Sequence, residues 1–373
     1  MKTEKLVIPA SEFESRLQKT LAVLRAKDLD GLIAFSSYQE REGHVCYLTN
    51  HHISFPNGMS HVGLGHAAYI LTADGKGFLI SPLGYERHKV VNVHYAKTGN
   101  NLVADIVAVL KSNFEGEKRL GIVGMDVIPA EYYLNLEKAV PELKFEAANA
   151  ILEDQRIIKS SNEVEILREA ARIVDIGLQA GMEAVKEGIT QLDVEFAARE
   201  ALMKAGADFI PRVRISSGPA IETLSWPMTK NIELKKGDFV YLDLIGWYSN
   251  YGFDNSRVTV VGGPSDAQRN YLDHLVEATE WMIGALKPHK EMGFNMTESR
   301  GRHIIPLGHG IGLEICENPW VSMGNRFTLE PNMVMCIEPI IVTREFGGMT
   351  IEDTVVVTET GVEVLNQCPM AFW

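Results

Sequence analysis

The chain has 373 residues, of which 46% are hydrophobic and 23% charged, which suits two folded domains better than one. Its formal charge of −13 argues against a surface built to grip a phosphate backbone, so nucleic acid is not an expected partner. The four cysteines, Cys46, Cys316, Cys336 and Cys368, form no CxxC pair, which argues against a thiolate zinc site or a disulfide framework. Met1–Ile8 shows no signal-peptide pattern and no run reaches the roughly 18 apolar residues of a membrane helix. A cytoplasmic protein with no membrane partner is expected.

The first part of the chain alternates between helix and strand patterns. A helix over Ser11–Lys27 places Leu17, Leu21 and Leu24 on one face. Gly31–Phe35 suits a buried strand, and Ala68–Leu71 and Gly77–Ile80 flank the hairpin signal Asp74-Gly75. Further patterns follow through Leu102–Leu110, Leu120–Val123 and Glu131–Ala139. Residues 1–153 therefore read as a small α/β domain. Ser160 stands three residues before Glu163, a capping-box spacing, and Val164, Leu167, Ala171, Val174 and Leu178 form an apolar stripe running to Gly188. Thr190 and Asp193 repeat the cap, Gly206 closes the second helix, and a third spans Ser265–Leu286. With the intervening strand pairs, residues 154–373 read as an α+β domain of helices on an antiparallel sheet.

The chemistry concentrates in two hairpins and one glycine-flanked histidine. Gly237–Asp243 and Tyr251–Val261 read as strands joined at Ser249-Asn250. If Tyr248 pairs with Tyr251, Asp243 faces Ser256, and alternation puts Asp254 on the same side. Near the C-terminus, Met333–Thr343 and Met349–Thr358 read as a second pair. Pairing Thr343 with Met349 sets Glu338 opposite Thr354, with Glu352 on the same face. Both glutamates lie in apolar sequence, buried carboxylates need a partner, and four acids with no matching arginine point to metal. His309, within Gly308-His309-Gly310-Ile311-Gly312, supplies an imidazole where glycines allow close approach. Four carboxylates and one imidazole form an oxygen-rich donor set that favours two divalent ions, Mn²⁺, Co²⁺ or Zn²⁺.

These residues resemble the pita-bread metallopeptidase family that includes prolidase, aminopeptidase P and methionine aminopeptidase, with the metal-free creatinase branch. The motifs that carry the resemblance are Tyr248–Arg257, Gly308–Glu314, Ile351–Thr354 and Arg156–Ser160, and the eleven-residue spacing of Asp243 and Asp254. Cys46–Asn50 resembles the smaller domain of the prolidase and creatinase branch. The resemblance implies a pita-bread catalytic domain over 154–373, preceded by a creatinase-like domain over 1–153. It implies that Asp243 and Asp254 hold one ion, that Asp254, His309 and Glu338 hold the other, and that Glu352 bridges. Glu338 would also accept and deliver a proton. Relatives are dimers that bring the small domain near the partner's active site, so a homodimer is expected, with His51–Pro56, Met59 and His61 as contact candidates.

Of the departures from the family pattern, which include Thr350, Gly246 and a short Asp254–His309 stretch, two bear on substrate binding. Trp226 and Cys316 stand where prolidase-like enzymes carry histidines that help bind the substrate carbonyl, and both are assigned to substrate binding. The implied function is an Xaa-Pro dipeptidase or aminopeptidase-like hydrolase acting on short peptides. The alternative is a hydrolase or lyase of a small non-peptide C–N or C–S substrate, with a pocket rewritten at Trp226 and Cys316.

Overall fold

The computed structural model describes residues 5–37, 42–53, 65–82, 84–99, 101–222, 228–299 and 301–373. These fall into two compact units, one of residues 8–156 and one of residues 157–373 joined by the residues before Ile8.

The smaller unit runs α1 (Ala10–Ala26), β1 (Gly31–Ser37), α2 (Gly43–Thr49), β2 (His66–Thr72), β3 (Gly77–Ile80), β4 (Tyr95–Lys97), α3 (Leu102–Asn113), β5 (Lys118–Val123), α4 (Ala130–Ala139), β6 (Leu143–Ala147) and α5 (Ala150–Ile157). Its mixed sheet has the order β4-β3-β2-β1-β5-β6. The central strands β1 and β2 are buried along their whole length, which explains why they read as continuous apolar runs rather than as an alternation. Gly75, at φ 94°, makes the tight turn between β2 and β3.

The larger unit begins with α6 (Ser161–Ala184) and α7 (Gln191–Ala205). Both open on a complete capping box, Ser160 with Glu163 and Thr190 with Asp193. The stripe from Val164 to Leu178 is buried, and each large side chain on it contributes about 1.5–3 kcal/mol relative to exposure. The first helix ends at Ala184 rather than at Gly188; Val185 caps it and Gly188 turns the chain, donating its amide to the Leu234 carbonyl. Next come β7 (Phe209–Gly218), β8 (Ile221–Glu222), β9 (Phe239–Tyr248), β10 (Tyr251–Val260) and α8 (Asp266–Ala285).

Eleven short strands complete the unit: β11 (Glu291–Gly293), β12 (Thr297–Ser299), β13 (Arg302–Ile305), β14 (Gly308–Gly310), β15 (Glu317–Val321), β16 (Arg326–Thr328), β17 (Val334–Ile337), β18 (Ile340–Thr343), β19 (Gly347–Thr350), β20 (Asp353–Val357) and β21 (Val362–Val364). Three sheets matter for the site, β10-β9-β7, β12-β13-β18-β19-β8 and β15-β14-β17-β20-β21. Pairing is antiparallel throughout them except between β19 and β8. Under them, Phe239, Tyr271 and Phe346 meet edge to face, and the Tyr271 hydroxyl donates to the Ile341 carbonyl at 2.6 Å. No described helix is long and apolar enough to cross a membrane.

Candidate metal centre

The first acid pair is set by a two-residue turn. Ser249 and Asn250 both adopt positive φ, at 51° and 69°, the geometry of a hairpin turn that matches strand twist. Tyr248 then pairs with Tyr251, Asp243 with Ser256, and Ile245 with Asp254. Asp243 and Asp254 thus share one face, close enough that the Asp243 charge raises Asp254, and both cannot stay ionised without a cation between them.

The second acid pair is built differently from the sequence expectation. Cys336 pairs with Thr354 and Ile337 with Asp353, while Ile341 pairs with Met349 and Thr343 with Gly347. This register is shifted by two residues from the Thr343–Met349 pairing, so Glu338 stands opposite Glu352 rather than Thr354. An even shift preserves parity, and the two acids keep a common face. The strands also break at these acids. Pro339 has no amide to donate, the Glu338 amide bonds to Leu307 O at 3.0 Å, and the Glu352 amide bonds to Ser256 O at 3.3 Å. Both chains cross there from one sheet to the next, and the glutamates sit at the crossing.

His309 lies between them. On β14 it pairs with Cys336 on one side and Trp320 on the other. A Cβ at Gly308 would stand 2.3 Å from Cys336 O, and one at Gly310 would stand 2.3 Å from Asn318 O, so only glycine lets the three strands close around the imidazole. His309 Nδ1 lies 3.0 Å from Gly310 O. Its Nε2 then faces Glu338 Oε1 at 3.7 Å and Asp254 Oδ2 at 3.9 Å.

Electrostatics set this cluster apart. Desolvation, followed by the neighbouring carboxylates, holds Asp254 and Glu352 well above the usual carboxylate range. Desolvation and then the Asp243 charge raise Glu338 to about 8. Burial lowers His309, keeping the imidazole neutral and its nitrogen available as a ligand. Glu352 Oε1 is buried with no hydrogen-bond partner. One His309 nitrogen, the Cys336 sulfur and one Glu352 oxygen lie within 4.8 Å of one another. An orphaned carboxylate oxygen beside a neutral imidazole and three further acids fits divalent cations.

The sequence reading missed three participants, Arg214, Cys336 and Trp320, and named Arg257 only as the end of a motif. Arg214 on β7 pairs with Asp243 in register and ion-pairs with it, so the absence of a matching arginine does not hold. The four acids still outnumber that guanidinium by three negative charges when ionised. The available signal was the alternation Arg212-Val213-Arg214-Ile215, which puts both arginines on one strand face. Cys336 sits two residues before Glu338, hence on its face. Trp320 is 43% exposed, its ring centroid 5.9 Å from that of His309. Arg257, fully buried, donates to Asp353 Oδ1 at 2.7 Å and to the Glu352 carbonyl.

Of the substrate-binding candidates, Cys316 is exposed. Desolvation first, then Asp254, Glu338 and Glu352, raise its thiol far above its ordinary value, so it is no thiolate. Trp226 lies outside the described residues, as do Ser54–Pro56, Met59 and His61.

A pH dependence follows from the raised acids. A carboxyl whose folded pKa is raised adds stability only while protonated, and that stability is lost as pH climbs through the folded value. For Glu338 the window runs from the ordinary carboxylate range to about 8. The metal-free protein is therefore expected to melt at lower temperature as pH rises through that window. Metal binding, which displaces these protons, should tighten over the same span. Thermal melts with and without metal from about pH 5.5 to about pH 8 check this; a metal-induced gain that shrinks with rising pH would contradict it.

A buried set of carboxylates converging with one imidazole across the edges of antiparallel sheets defines a metal-dependent hydrolase of the pita-bread type. The chain belongs to metallopeptidase family M24, whose family model matches residues 165–359. The Creatinase/Prolidase N-terminal domain matches residues 16–158. The chain is 32% identical to an Xaa-Pro dipeptidase of Pyrococcus furiosus over 60% of this chain and 67% of that one. It is equally 32% identical to an Xaa-Pro dipeptidase of Pyrococcus horikoshii, over 68% of this chain and 74% of that one. Among solved structures, the prolidase from Pyrococcus horikoshii OT3 superposes with a TM-score of 0.78 at 23% identity, covering 96% of this chain and 100% of that one.

Proposed function

We propose that the protein is a dinuclear metal-dependent Xaa-Pro dipeptidase-like peptidase acting on short peptides. The observation that carries this reading is the convergence of His309 with the acids of two separate hairpins. The Xaa-Pro dipeptidase relatives support it over a non-peptide hydrolase or lyase.

In this reading Asp243, Asp254, His309, Glu338 and Glu352 hold two divalent ions, Mn²⁺, Co²⁺ or Zn²⁺. Such ions supply Lewis acidity and a water acidified toward neutral pH. Glu338 is the proton carrier, since its side chain is 18% exposed, more open than Asp243 or Asp254 at 9%. Its carboxylate would take a proton from the attacking water and return it to the leaving amine. Cys316 and Trp226 are the candidates for substrate binding. Arg214 fixes Asp243 by one oxygen and leaves the other for a ligand role.

We place the catalytic domain at 154–373 and the N-terminal domain at 1–153, in a cytoplasmic homodimer. The test is hydrolysis of Xaa-Pro dipeptides by protein loaded in turn with Mn²⁺, Co²⁺ and Zn²⁺. Turnover on the order of 1–10 s⁻¹ is expected with at least one metal; inactivity with all three, beside turnover of cyclic or guanidino compounds, would shift the reading to the non-peptide alternative. Light scattering should give twice the 41.4 kDa chain mass, and a single-chain mass with full activity would exclude the dimer.

A further inference from the structure

We infer that Arg212 forms a carboxylate clamp beside the acid cluster, with Arg214 committed to Asp243 behind it, selecting substrates that carry an anionic group next to the hydrolysed bond. This rests on the peptidase reading for its assay but not for its geometry.

Strand β7 alternates Arg212-Val213-Arg214-Ile215. Val213 and Ile215 are buried on one face, at 1% and 0% exposure, so the arginines occupy the other. Register identifies that face. Arg214, Asp243 and Ser256 form one row across β7, β9 and β10, and Arg212, Ile245 and Asp254 form the next. Paired side chains point the same way, so Arg212 shares its face with both aspartates. Two strand spacings, about 10 Å, separate its backbone from that of Asp254, a span an extended arginine can largely cover.

The two arginines differ in freedom. Arg214 is 3% exposed and committed to Asp243. Arg212 is exposed and makes no hydrogen bond or ion pair with any described residue. Its charge is nevertheless felt at Asp243, Asp254 and Cys316, each of which it stabilises in the ionised form.

The exposed Arg212 guanidinium, on the face that carries both aspartates and with no ion-pair partner among the described residues, offers a two-donor fork matched to a carboxylate. A neutral substrate would gain nothing from it. Trp320, exposed beside His309, offers an apolar wall for the remainder of a small substrate. The combination fits a short peptide whose free C-terminal carboxylate lies one residue from the cleaved bond.

The test compares Ala-Pro with Ala-Pro amide on the metal-loaded full chain. The acid should be preferred in KM by about 10- to 100-fold, as expected for hydrogen bonds to a charged group. In Arg212→Ala this preference should collapse through KM rather than kcat, and Arg212→Lys should restore part of it. Calorimetric titration of metal-loaded protein with L-proline and L-prolinamide gives a readout without turnover, with the same preference lost in Arg212→Ala. Hydrolysis with equal KM for acid and amide, or a preference that survives Arg212→Ala, overturns the clamp and leaves the peptidase reading standing. Arg212-dependent binding of L-proline without peptide hydrolysis supports the clamp and overturns the peptidase reading.

Discussion

Glu352→Gln is expected to release the divalent metal and abolish hydrolysis. Glu352 is 2% exposed, and its Oε1 has no partner. Its amide is held by Ser256 O and its carbonyl by Arg257, so the side chain has little freedom to relocate. Glutamine keeps the shape and removes the charge. Deleting one charged member of a buried ionic cluster costs about 3–5 kcal/mol, which is roughly 10²–10⁴-fold in metal dissociation constant. Asp254→Asn should behave alike, since Asp254 faces Asp243, Glu338 and Glu352 together. Metal content by mass spectrometry and kcat/KM are the measurements. The metal-free variants supply the control: removing one of four mutually repelling acids should raise the melting temperature of the chelated protein near pH 8 above that of the chelated wild type. Wild-type metal content with full metal-dependent activity in both variants would end the proposed mechanism.

The parts of this site legible in the sequence were those governed by local rules. The Ser249-Asn250 turn sets the register of β9 and β10, so the common face of Asp243 and Asp254 could be derived by counting. The capping boxes at Ser160 and Thr190 were visible for the same reason. The register around Glu338 was not, because it depends on where a longer connection ends and on Pro339 breaking the strand as it passes between sheets. Alternation tolerated that error, since a shift of two residues keeps the face. Arg214 reaches Asp243 from 29 residues away through β7, whose pairing with β9 is interrupted between Phe209 and Arg212. No local pattern names its partner. Cys336 was hidden by its apolar surroundings, although its spacing from Glu338 placed it on the ligand face.

Arg257→Met is expected to destabilise the larger unit by about 3–5 kcal/mol, the cost of leaving a buried charge without its partner. Arg257 is fully buried and donates to Asn255 Oδ1 at 2.7 Å, Ser256 O at 2.9 Å, Asp353 Oδ1 at 2.7 Å, Cys368 O at 2.7 Å and Pro369 O at 3.0 Å. It therefore ties β10 to β20 and both to the C-terminal segment, which Asp175 also holds through Asn366 at 2.9 Å. Methionine fills much of the volume but donates nothing, so Asp353 remains buried and two terminal carbonyls lose their donor. Burial already raises Asp353 against the pull of Arg257; without the guanidinium it must protonate or draw in water. For a domain of this size the loss corresponds to a melting temperature lower by roughly 6–20 °C. Because Arg257 also holds the Glu352 carbonyl, metal affinity should fall with stability. The double variant Arg257→Met with Asp353→Leu separates the causes, since replacing both members of a buried pair is far less costly than removing one. It should recover a substantial part of the lost stability. If the double variant melts no higher than Arg257→Met alone, the loss comes from the carbonyl bonds and packing, and the buried-charge account of this residue fails.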